Sequence, residues 1–90
     1  MTETDEDTLL EFPCEFPIKA MGTAEPDFVL HVLAIIREHA PDVDDTRVST
    51  NASRRGTYVS VTVPITATSK AQLEAIYQSL AADSRVVMTL

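Results

Sequence analysis

Along this chain the apolar residues switch between the two-residue period of a strand and the 3.6-residue period of a helix, and the order of the switches leaves few folds open. The clearest run is Val59, Val61, Val63 and Ile65 alternating with Ser60, Thr62, Pro64 and Thr66, a half-buried strand. Cys14, Phe16, Ile18 and Ala20 alternate likewise with Glu15, Pro17, Lys19 and Met21, up to Gly22. Phe28, Val29, Val32, Leu33 and Ile36 then fall on one stripe of a helix that starts at Pro26 and is closed by His39, Ala40 and Pro41. The loop DVDDT leads to a weak alternation over Arg47–Ala52, an edge strand, and SRRG makes a turn whose glycine can take positive φ. Ser69 with Gln72 three residues on is a capping box, and Leu73, Ile76, Tyr77 and Leu80 form the stripe of a second helix over Lys70–Ala82. Val86, Met88 and Leu90 share one face of a closing strand.

The order is strand, helix, strand, strand, helix, strand. With right-handed crossovers this gives an α+β chain of the ferredoxin-like βαββαβ type: a four-stranded antiparallel sheet of order 4-1-3-2 with both helices on one face. Pro64 sits awkwardly in the third strand, because proline donates no ladder bond, and is expected near the strand's end or at a bulge. The open face should carry Lys19, Met21, Arg47, Ser49, Asn51, Ser60, Thr62, Val87 and Thr89.

Ninety residues form one domain, too small to give up much core to a deep cavity. The formal charge of −7 is unevenly spread: Glu3, Asp5, Glu6, Asp7 and Glu11 precede Phe12 with no base among them. Residues 1–11 therefore read as a disordered acidic tail, and residues 12–90 as a nearly neutral single domain. An acidic chain repels phosphate backbones, which argues against nucleic acid as a partner. No apolar run approaches the roughly 20 residues of a membrane span, the leader has no signal-peptide pattern, and one cysteine forbids an internal disulfide, so a reducing cytoplasmic setting is expected.

No catalytic constellation can be assembled. Cys14 lies between Pro13 and Glu15 with no base or positive field beside it, and reads as a structural, semi-buried thiol. His31 and His39 are eight apart on a helix and have no second cysteine to join them, so no metal site is expected; capping and solvation account for them. DVDD lacks the glycine and distant glutamate of a calcium loop. RRGTYVSV begins like an RNA-recognition strand but offers only Tyr58 as a stacking aromatic. Two features remain as binding candidates. Lys19, Met21, Gly22 and Thr23 lead into a helix start, where a cation and backbone amides suit a small carboxylate. Arg54 and Arg55 place two guanidinium groups on a hairpin tip, a second carboxylate clamp.

Taken together, FPCEFPIKAMG, REHAP, SRRGTYVSVTVPITATS and RVVMTL resemble the YbeD-like family of small bacterial proteins, over Leu10 to Leu90. The family pattern falls on Phe12, Pro13, Phe16, Lys19, Met21, Gly22, His39, Ala40, Pro41, Ser53, Gly56, Tyr58, Ser60 and Val61, none of which is an established catalytic residue. The resemblance implies a ferredoxin-like fold similar to the regulatory domains of amino-acid biosynthetic enzymes, and the family carries the label of a lipoate-binding regulatory protein. The expected function is thus a non-enzymatic regulatory or binding module without a cofactor, taking a small carboxylate such as lipoate. The alternative is a protein–protein interaction or weak homodimerisation module.

Overall fold

Four strands and two helices alternate along residues 11–89, the residues that the computed structural model describes: β1 (Cys14–Thr23), α1 (Phe28–Arg37), β2 (Ser49–Ala52), β3 (Tyr58–Ala67), α2 (Lys70–Ala81) and β4 (Val86–Thr89). The acidic tail read from the sequence lies outside them apart from Glu11, which is exposed. The sheet order is β2-β3-β1-β4, the expected 4-1-3-2 read from the other edge, and every neighbouring pair is antiparallel.

The long β1–β3 ladder is the spine, pairing Ile18 with Val63 and Ala20 with Val61. These four side chains, with Ile65 and Ala67, pack against Phe28, Val32, Leu33 and Ile36 of α1 and Leu73, Ile76 and Leu80 of α2. Fully burying one such side chain stabilises the fold by roughly 1.5–3 kcal/mol, so the alternating strand pattern and the two helical stripes fix the layering between them. At the start of α2 the Ser69 hydroxyl accepts a bond from the Gln72 amide at 3.0 Å. The Gln72 side chain reaches back to the Thr68 amide at 2.8 Å, one residue earlier than a strict capping box. Its amide nitrogen also donates to the His39 carbonyl at 2.8 Å, joining the start of α2 to the chain just beyond α1.

Several expectations are corrected. Pro64 is neither near a strand end nor at a bulge: it lies within β3, directly opposite Pro17 of β1. Since neither has an N–H, their rung must be of the type in which the two residues do not bond each other. Bonding then alternates along the ladder, and the missing donors point to where β2 and β4, which reach only Thr62 and Ala20, have already ended. The Ala24 amide to the Thr57 carbonyl (2.9 Å) and the Ser53 amide to the Tyr58 carbonyl (2.8 Å) continue the same alternation. Two neighbouring strands too short to need the donors make mid-strand prolines acceptable.

β1 continues past Gly22 to Thr23, and α1 starts at Phe28, because Pro26 and Asp27 form a turn before it. β2 starts at Ser49, since Asp45–Arg47 form a 3-10 turn capped by the Asp44 carboxylate, which accepts from the Thr46 amide at 3.0 Å. Arg47 is therefore not a strand residue of the open face. In β4 the pairing shifts between Met21 and Gly22, so that Val86 lies opposite Gly22 and Met88 opposite Met21. This bulge reverses the expected facing: Met88 joins Met21 on the open side, and Thr89 lies opposite the buried Ala20. The turn after β2 carries Gly56 at φ 74°, in the left-handed region that glycine adopts without strain.

Candidate functional site

The β1–α1 connection, expected to offer amides to an anion, is already filled by the protein itself. Gly22 faces the helices, and a Cβ there would run into the Phe28 ring and the Arg85 carbonyl. Its close approach is to its own core, and the ladder alternation places its amide in the β1–β3 pairing. The Ala24 amide donates to Thr57 and the Glu25 amide to the Thr23 carbonyl at 2.8 Å. Arg85, from the α2–β4 connection, closes the corner, bonding Asp27 at 2.7 Å and Glu25 at 2.9 Å. Its guanidinium also lies 5.9 Å from the centre of the Phe28 ring, a cation–π distance. Its hydrogen bonds hold the Asp27 carboxyl below the ordinary range. A corner carrying two carboxylates and one committed arginine is unsuited to an incoming anion.

One step further, the Arg85 amide donates to Asp83 at 2.9 Å, and Asp83 meets His31 of α1 at 2.8 Å. That bond with His31 is the main reason the Asp83 carboxyl is lowered. His39 bonds Ser79 of α2 at 2.9 Å. The two histidines thus tie α1 and the chain just beyond it to neighbouring segments, where the sequence suggested only capping and solvation. Sequence reasoning also missed Arg85, although the strand order carried the signal: with β4 beside β1, the loop after β1 and the loop before β4 must meet. Cys14 is half-buried on the helix side opposite Ala67.

The open face is different in character. Lys19, Met21 and Thr23 occupy alternate positions of β1, so their side chains emerge on the side away from the helices. Beside them on β3 are Thr62, Ser60 and Tyr58, and on β2 Ser49 and Asn51. Met88 sits next to Met21 on the other flank, 49% exposed. Glu15, further along the same face, is held by Arg47 at 2.9 Å, and that arginine's hydrogen bond is the main cause of its lowered pKa. Glu15 is thus neutralised by another cation, and Lys19 has no ion-pair partner among the described residues. Arg54 and Arg55 have none either, whereas Arg37, Arg47 and Arg85 are each paired.

The structure therefore gathers Lys19, Met21 and Thr23 on one face and turns Gly22 to the other. The hairpin arginines stand apart: the last rung before the turn, Ser53 with Tyr58, is four residues beyond the Lys19–Thr62 rung, about 13 Å along the strands. One small carboxylate cannot touch Lys19 and both arginines together.

Comparison with known proteins adds a family and a fold. A family model described as a protein of unknown function, DUF493, matches residues 7–90. The UPF0250 protein NE1487 of Nitrosomonas europaea is 46% identical over 85 residues, covering 94% of this chain and 98% of its own. A UPF0250 protein of Ectopseudomonas mendocina is 47% identical over 92 residues, and one of Neisseria gonorrhoeae 40% identical over 91, each covering 100% of both chains. Among solved structures, protein HP0495 from H. pylori superposes with a TM-score of 0.68 over 90% of this chain and 85% of its own; at 15% identity, the likeness concerns the fold alone. The chain therefore belongs to the DUF493/UPF0250 family of small bacterial proteins, the YbeD-like proteins that its motifs resemble.

Proposed function

We propose that this chain is a non-enzymatic regulatory binding module whose open sheet face takes a small carboxylate bearing an apolar chain, of the lipoate or octanoate type. One observation carries the reading: Lys19, a cation without an ion-pair partner among the described residues, is flanked on the same face by Met21 and Met88. An ammonium meets the carboxylate, and two polarisable thioethers adapt to an alkyl or dithiolane chain. Thr62 and Ser60 supply hydroxyls beside them. The expected setting is the cytoplasm, where Cys14 remains a thiol; no helix among the described residues is long and apolar enough to cross a membrane.

The test is an amide NMR titration of the full chain with octanoate and lipoate at two protein concentrations. Saturable shifts should centre on Lys19, Met21 and Met88. Lys19→Ala should weaken binding about two- to fivefold, as suits one exposed charge contact. Its denaturation midpoint should stay unchanged. Shifts confined to the Arg85 corner, or an affinity indifferent to Lys19→Ala, would remove the proposed site.

A further inference from the structure

The hairpin of β2 and β3 differs from the rest of the fold in three ways that point to one kind of occupant. The first is coverage. All four residues of β2 are exposed, including Thr50 and Ala52, which lie on the helix side of the sheet opposite Val61 and Val59. A strand left bare on both faces gains little from its own packing.

The second is the edge. Since Ser53 bonds Tyr58 across the hairpin, Thr50 and Ala52 fall on the alternate rungs and turn their backbone N–H and C=O outward. Exposed edges invite another strand, and proteins blunt them with proline or charge. This chain does so where β1 and β3 run on past their neighbours, with Pro17 and Pro64 lacking the donors that would face out. The outer edge of β2, Ser-Thr-Asn-Ala, carries neither device. The edge of β4 is also uncharged, but Val86 and Thr89 on its helix side are half-covered, so that strand is not bare on both faces.

The third is charge. No Asp or Glu occurs from Thr46 to Leu73, a stretch holding Arg47, Arg54, Arg55 and Lys70, four of the seven bases of a chain with net charge −7. Arg54 and Arg55 stand exposed at the end of the bare strand, without ion-pair partners among the described residues.

We infer that the outer edge of β2 receives an extended acidic segment of a partner protein as a fifth strand. Its backbone bonds Thr50 and Ala52, and its carboxylates meet Arg54 and Arg55. Backbone pairing supplies affinity and the arginines select for acidic sequence. The surface lies apart from the carboxylate site at Lys19, and neither depends on the other.

The probe is a fluorescein-labelled peptide of alternating valine and threonine with two glutamates at each end, titrated into the full chain by anisotropy. The control peptide has lysines in place of the glutamates. The glutamate peptide should bind saturably, more weakly as salt rises, and should slow amide exchange at Thr50 and Ala52. Arg54→Glu with Arg55→Glu, confined to an exposed turn, should weaken it about tenfold. Thr50→Pro, which removes an outward donor and no ladder bond, should weaken it independently. Equal binding of the lysine peptide, or no effect of the arginine reversal, would overturn the inference. So would tighter binding of a labelled oligonucleotide. Concentration-dependent dimerisation that excludes the peptide would overturn it too, by assigning the edge to a second copy.

Discussion

Gly22 has no side chain because two neighbours already fill that space, the Phe28 ring from the start of α1 and the Arg85 carbonyl from the entry to β4. Gly22→Ala should therefore act as overpacking and cost about 1–3 kcal/mol, read as a lower urea midpoint with the slope unchanged. A variant as stable as the parent would show that Phe28 can move aside. Asp83 makes a second residue-scale prediction, through its bond to His31 and the Arg85 amide. The folded carboxyl titrates below its ordinary value of 3.8, so the pair stabilises the fold above that pH and the contribution fades as pH falls through the folded value. Arg85, Asp27 and Glu25 share the corner, and the same sign applies to Asp27. Asp83→Asn should lower stability near neutrality and flatten its fall in acid, as followed by thermal melts between pH 7 and pH 3. An acid limb as steep as the parent's would show that the slope arises elsewhere.

At the scale of elements, strand alternation becomes measurable. The Asn51 amide bonds across to Ser60 in the β2–β3 ladder, while those of Thr50 and Ala52 face solvent, so hydrogen exchange should be slow at Asn51 and fast at its two neighbours. Uniform protection along β2 would contradict the ladder. The same elements show what a sequence can and cannot carry. Val59 to Ile65 and the stripes from Phe28 and Leu73 were legible because each buries a face against whatever lies opposite, whatever its identity. The facing of Met88 was not, because one extra residue in β4 reverses alternation without changing composition. Pro64 was misplaced for a related reason: proline is tolerated there through the lengths of β2 and β4, properties of other segments. At the candidate site, Lys19 and Met21 could be placed by counting along β1. Met88 required the bulge, and Arg85 required two distant loops to be brought together.

For the whole molecule, what matters is where charge resides. At the helix-side corner Arg85 is committed to Glu25 and Asp27, two carboxylates for one cation. Near the opposite end of the β1–β3 spine, Arg47 neutralises Glu15. Arg54 and Arg55 are left at the tip of an acid-free hairpin. The average charge of the chain therefore does not describe its hairpin tip. By its pI of about 4.5 the protein should flow straight through a sulfonate resin at pH 7. Molecules, however, approach a charged bead one face at a time, and this one can turn its hairpin towards it. We expect weak retention, released at about 0.1–0.15 M salt, where the screening length shrinks to about 8–10 Å, and lost on reversing Arg54 and Arg55. The column would then register an orientation where the isoelectric point registers only a sum.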